Sequence, residues 1–150
     1  MSEFPLSGSG RNPYHLSVGG VIRDGARIAL IRKPDGAVGL PTETMLASES
    51  LIACARRGAR EELAAEVAVL RFLGGRLGHF ARPDGAIIEK TVVYVESRVV
   101  GRHPARQPEA DEIDDEILWL TPGEAVALLA ERGNPEAAIV RRAERAPAAG

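Results

Sequence analysis

The chain has 150 residues, 45% hydrophobic and 27% charged, enough for one domain with a real core and too apolar for a disordered chain. A formal net charge of -2 gives no electrostatic reason to expect a general nucleic-acid or membrane-surface binder. One cysteine, Cys54, excludes an intramolecular disulfide and a thiolate zinc site, and no apolar run reaches the roughly 20 residues of a membrane span.

In chain order, residues 1–13 are rich in Ser, Gly and Pro and read as a flexible lead-in, with Phe4 and Leu6 able to dock on the body. Two β-rich runs, His15 to Arg23 and Arg27 to Lys33, flank Asp24-Gly25, a hairpin signal. Pro34-Asp35-Gly36 marks the next turn. Ser48 to Glu66 is the clearest helix, capped by Ser48 or Ser50, with Ile52, Ala55, Ala59 and Leu63 on one face. Gly58 lies in its interior, where it costs about 1 kcal/mol against Ala. Val67 to Phe80 and Ala86 to Val100 read as strands around a second Pro-Asp-Gly turn, and Gly101 to Glu112 as a polar loop. A short strand, Glu116 to Leu120, precedes a helix from Pro122 to Arg132 that opens with proline at its first position. A last helix from Pro135 to about Arg145 leads into a frayed tail, 144–150. The order β-β-α-β-β-β-α predicts an α/β class, a mixed sheet with helices on both faces.

Chemistry concentrates between Gly39 and Val69, "GLPTETMLASESLIACARRGAREELAAEVAV". This stretch resembles the Nudix box, G-x5-E-x7-R-E-U-x-E-E-x-G-U with U aliphatic. Without a gap, Glu49 takes the first Glu, Arg57 the Arg, Glu61 and Glu62 the paired Glu, and Ala59 and Ala65 the aliphatic positions. Leu40-Pro41 matches the usual opening. Four positions depart: Glu43 replaces the opening Gly, Ser48 the Gly before the first Glu, Ala64 the closing Gly, and Gly58 the Glu after the Arg. "HLSVGGVIRDGARIALIRK", "FLGGRLGHF" with "IIEKTVVYV", and "EIDDEILWLTPGEAVALL" resemble the flanking strands and closing helix. The resemblance spans residues 14–143 and implies a Nudix-type α/β/α sandwich.

It implies further that Glu61 and Glu62 ligate Mg²⁺ or Mn²⁺, hard ions that prefer oxygen donors, and that Arg57, four residues before Glu61, braces that carboxylate. Positions 58, 61 and 62 share one helix face, so Gly58 removes a ligand that the family places there. Glu43, in the loop before the helix, is a candidate replacement. From the acidic segment "EADEIDDEILW", Glu112 is the expected further catalytic carboxylate, with Asp111 or Glu116 as alternatives. Lys90, Arg76 and His79 are the candidates for phosphate or base recognition. Each of these residues also has a plainer reading: a solvated salt-bridged helix face, a dipole-stabilising first-turn Glu49, an acidic solubilising loop, exposed strand side chains. Cys54 reads as a small buried apolar residue, and Trp119 as core or sheet-edge packing.

The expected function is cleavage of a pyrophosphate bond in a nucleoside diphosphate-linked substrate, the flanks resembling members that act on nucleoside triphosphates or dinucleoside polyphosphates. The alternatives are a module of the same fold that binds a nucleotide-like ligand without cutting it, and a purely partner-binding domain. The expected partner is a small nucleotide-like molecule, with neither nucleic acid nor membrane and with homodimerisation left open. A cytoplasmic location is expected, since the N-terminus lacks the layout of a secretion signal.

Overall fold

The computed structural model describes residues 4–145; the ends of the lead-in and of the predicted frayed tail lie outside this range. Its strands are β1 (Tyr14–Asp24), β2 (Arg27–Arg32), β3 (Val38–Gly39), β4 (Thr42–Thr44), β5 (Ala65–Ala81), β6 (Ile87–Arg102) and β7 (Glu116–Leu120). The helices are α1 (Leu51–Leu63), α2 (Pro122–Glu131) and α3 (Ala137–Ala143), with a single 3-10 turn at Ala110–Glu112. The sheet runs β3-β2-β1-β6-β5, with β4 on β1 and β7 on β2. It is mixed: β1 and β6 are parallel over ten residue pairs, whereas the other pairings are antiparallel.

Strand periodicity divides the core into two layers. Val21, Ile28, Leu30, Val92 and Tyr94 face α2 and α3, against Leu129 and Val140. Their neighbours Ile22, Ala29 and Ile31 face α1 through Ala59 and Leu63. Helices therefore cover both faces, giving an α/β/α sandwich.

After the hairpin, β1 and β2 pair only at Arg23↔Ile28 and Asp24↔Arg27, and then diverge. Gly25, at φ 59, takes the first turn position, so the turn residues are Gly25 and Ala26. The chain from Val38 to Thr44 occupies the gap, with β3 on β2 and β4 on β1 at Val18↔Glu43. This split carries the site. The lead-in is pinned from its first described residues: Pro5 bridges Leu46, and Leu6 N donates to Met45 O at 2.7 Å.

Two expectations for α1 need correction, its end and its buried stripe. The helix ends at Leu63 rather than Glu66, and Ser50 is the cap, accepting from Ala53 N at 3.1 Å. Its buried residues are Cys54, Ala59, Glu62 and Leu63, while Ile52 is exposed. The stripe is rotated because a carboxylate, Glu62, lies on the inner side. Ala64 ends the helix in the left-handed conformation at φ 53, which costs a non-glycine residue about 1–2 kcal/mol. Ala64→Gly is therefore expected to raise stability by about 0.5 kcal/mol, the relief of strain exceeding glycine's added unfolded-state entropy. A urea melt reads the shift, and a lower midpoint contradicts it.

Candidate active site

The inner end of α1, strand β4 and the loop before β7 converge on one acidic crevice. The ligand atoms of Glu43, Glu61 and Glu109 lie within 4.8 Å of one another, and so do those of Glu62, Glu112 and Asp115. The two predicted helix carboxylates thus fall into adjacent groups. The loop is held against the helix end by Gln107 N donating to Glu61 O at 2.8 Å and by Arg106 Nη1 donating to Glu62 O at 3.3 Å. Glu112 N donates to Glu109 O at 2.9 Å, and the 3-10 turn so formed brings Glu112 and Asp115 to Glu62.

Arg57 organises one side. Its guanidinium donates to both oxygens of Glu49 at 2.7 and 2.9 Å, to Glu43 Oε1 at 3.1 Å, to Glu61 Oε2 at 3.3 Å and to Thr44 O at 2.8 Å. The expected brace on Glu61 is present, but the fork-to-fork pair with Glu49 is the tighter contact. Glu49 also caps the approach to α1, accepting from Leu46 N at 2.9 Å. These bonds hold the Arg57 charge firmly and depress the Glu49 carboxyl below its ordinary value. On the other side, Lys33 Nζ pairs with buried Asp115 at 2.6 Å.

Burial outweighs these cations for two carboxyls. Glu43, 7% exposed, is pushed up to about 7 by burial, with Arg57 opposing and Glu112 and Glu61 adding. Glu62, 3% exposed, is pushed up to about 8 by burial and then by Glu112. Two oxygens, Glu43 Oε2 and Asp115 Oδ1, are buried without a hydrogen-bond partner. Unsatisfied buried carboxylate oxygens are costly. An all-oxygen donor set with spare negative charge fits a hard divalent cation.

Lys90, Arg76 and His79 come together at the mouth of a cavity of about 330 Å³ that is also lined by His15, Phe80 and Val92. Lys90 shares the sheet face of Val92 and Tyr94 by strand alternation. Burial lowers its pKa, and burial with Lys90 nearby lowers that of His15. Arg76 and Lys90 also line a neighbouring cavity of about 240 Å³ with Lys33, Gly39, Leu40, Thr42 and Glu136. Lys33, at this second cavity, is the residue paired with Asp115, so the basic cleft opens beside the acidic crevice.

Buried Glu136 shapes the cleft wall. It accepts from Tyr94 Oη at 2.5 Å and from Leu40 N at 2.9 Å, fixing the Gly39–Leu40 backbone. Sequence reasoning missed Glu136, Tyr94, Lys33 and Asp115, whose partners lie 42 to 96 residues away in the chain. Only the Asp-Asp-Glu run around Asp115 offered a signal. Cys54 is buried and its thiol is pushed up to about 12 by burial, which makes it a packing residue. Trp119 packs on the α1-side core beneath Arg102, whose guanidinium carbon lies 4.9 Å from the ring centre.

An α/β/α sandwich whose embedded helix presents an Arg-braced carboxylate crevice beside a basic cleft defines a Nudix-type fold. The family model of the NUDIX domain matches residues 13–143, and the chain belongs to that family. Among solved structures it is similar to a NUDIX hydrolase from Nitrosomonas europaea, with a TM-score of 0.65 and 18% identity over 89% of this chain and 93% of that one. It is also similar to the E. coli ORF135 protein, with a TM-score of 0.57 and 23% identity over 94% and 99% of the two chains. No curated protein matches the sequence. Among the described residues no helix is long and apolar enough to cross a membrane.

Proposed function

We propose that the protein is a cytoplasmic pyrophosphohydrolase acting on a nucleoside diphosphate-linked substrate with Mg²⁺ or Mn²⁺. The observation that carries this reading is the crevice of six carboxylates, with unpartnered Glu43 Oε2 and Asp115 Oδ1, opening beside the Arg76–Lys90 cleft. Glu61 and Glu62 would hold the cation, with Glu112 as the third acidic contributor. A bound divalent ion would offset diphosphate charge and lower the pKa of a water for attack on phosphorus.

The chain's own residues do the rest. Arg57 fixes Glu43, Glu49 and Glu61 in position, and Lys33 does the same for Asp115. Lys90, a compact charge drawn partly out of water, and Arg76, a planar fork, would receive the phosphates. His79 and Phe80 line the outer part of the cleft, where a base or other substituent would lie. Glu112, whose carboxyl burial raises, would accept a proton from an attacking water. One feature favours a binding module instead: Gly58 leaves the helix without its third carboxylate.

The test is product analysis from a panel of nucleoside triphosphates, dinucleoside polyphosphates and nucleoside diphosphate conjugates, with Mg²⁺ and with Mn²⁺. The wild type is expected to cleave at least one member, and Glu61→Gln with Glu62→Gln to lower turnover by at least about 100-fold, the scale of losing one catalytic electrostatic group. Saturable binding without cleavage, in wild type and variant alike, would establish the binding module.

A further inference from the structure

We propose that Glu43 supplies, from the strand wall, the carboxylate that α1 lacks at position 58, so that Glu43 and Gly58 form a reciprocal pair. The inference rests on the metal-dependent reading above. The Nudix pattern has Gly at the box opening and Glu after the Arg; this chain has Glu43 and Gly58. Those two positions face each other. A Cβ placed on Gly58 would lie 2.9 Å from Glu43 Cβ, 3.3 Å from its Cγ and 3.5 Å from its Oε2. Real Cβ atoms do not approach so closely, so the side chain of Glu43 fills the space that a residue at 58 would need. Glycine at 58 is what lets the strand carboxylate in.

The placement is fixed on several sides. Glu43 pairs with Val18 in the sheet, and its carbonyl accepts from Cys54 Sγ at 3.6 Å. Its Oε1 accepts from Arg57, while Oε2 is buried with no partner. A residue serving only as counterion to Arg57 would gain nothing from burying a second, unpaired oxygen, whose lost hydration nothing repays. A cation shared with Glu61 would offset that cost. The ligand atoms of Glu43, Glu61 and Glu109 lie within 4.8 Å of one another, close enough to share one ion. The third carboxylate has therefore been moved from the helix to the facing strand.

The experiment titrates Mn²⁺ into the full-length protein, following the free-ion paramagnetic resonance signal, with thermal melts in chelator alongside. Glu43→Gln is expected to keep its fold and to weaken Mn²⁺ binding by at least about tenfold, since even losing an outer-shell partner costs 10–100-fold. Gly58→Glu alone is expected to melt lower in chelator, because its side chain meets Glu43. Glu43→Gly combined with Gly58→Glu is expected to recover both melting temperature and Mn²⁺ affinity to within about threefold of wild type, a strongly non-additive cycle. The double variant decides the matter if Glu43→Gln does not fold. Wild-type affinity in a folded Glu43→Gln, or a double variant weaker than either single one, overturns the Glu43 assignment alone. No Mn²⁺ binding by wild type overturns both this inference and the metal in the proposed function.

Discussion

Arg57→Ala is expected to destabilise the protein by about 3–5 kcal/mol, the cost of breaking a buried charge pair and leaving its partner uncompensated. Arg57 is the shared partner of Glu43 and Glu49, whose side chains are 8% and 12% exposed, and it also reaches Glu61. Removing it leaves those carboxylates facing one another across β4 and α1. At this chain length each kcal/mol moves the midpoint by roughly 2–4 °C, so the melting temperature should fall on the order of 10 °C. Arg57→Lys keeps the charge but loses the planar fork that spans both Glu49 oxygens, and should fall part of the way. Calorimetry in chelator tests the pair. An Arg57→Ala midpoint within about 2 °C of wild type, well short of the drop expected at this size, would mean that the network contributes little.

Glu62→Gln is expected to act in the opposite direction on stability while removing activity. The Glu62 carboxyl is raised from an ordinary value near 4.5 to about 8 by burial and by Glu112. Between those values the metal-free folded state binds a proton that the unfolded chain releases. The contribution is therefore fully present below about pH 4.5 and is lost as pH rises through about 8. Near neutral pH a neutral glutamine avoids this penalty, so the metal-free variant should melt higher by about 5 °C, the equivalent of 1–2 kcal/mol at this size. Its melting temperature should also fall less steeply between pH 5 and pH 8.5. Wild type should recover the difference when Mn²⁺ is added, because a bound cation favours the ionised carboxylate. Hydrolysis by Glu62→Gln should drop by at least about 100-fold. A variant that melts lower than wild type in chelator at pH 8 contradicts this account of Glu62.

What was legible in the sequence followed from local rules. The hairpin signal at Asp24-Gly25, the serine cap of α1 and the apolar run Ile28 to Ile31 each point to their structure within a few residues, with the turn itself one residue on at Gly25-Ala26. The box resemblance likewise brings forward Arg57, Glu61 and Glu62, and the acidic segment before β7 brings forward Glu112; the fold gathers all four around one crevice. The remainder depended on contacts between distant residues. Strands β3 and β4 have two and three residues, too few to show a period, so Glu43 read as a loop residue rather than a sheet residue facing α1. The end of α1 carries no stop signal, because Ala64 takes a conformation that usually calls for glycine. Apolar periodicity does not reveal its buried stripe, because Glu62 is inside, where a carboxylate is not expected without a charge partner. Lys33 with Asp115 and Tyr94 with Glu136 are separated by 82 and 42 residues, and no spacing rule connects them.

The nature of the crevice is tested most directly by running the nucleotide panel in ¹⁸O-labelled water with Mg²⁺ and identifying the products by mass spectrometry. The expected products are a nucleoside monophosphate or diphosphate and its phosphorylated counterpart, with a single ¹⁸O on one of the two and no product when chelator replaces the metal. Absence of cleavage across the panel, or equal cleavage in chelator, would contradict the proposed function.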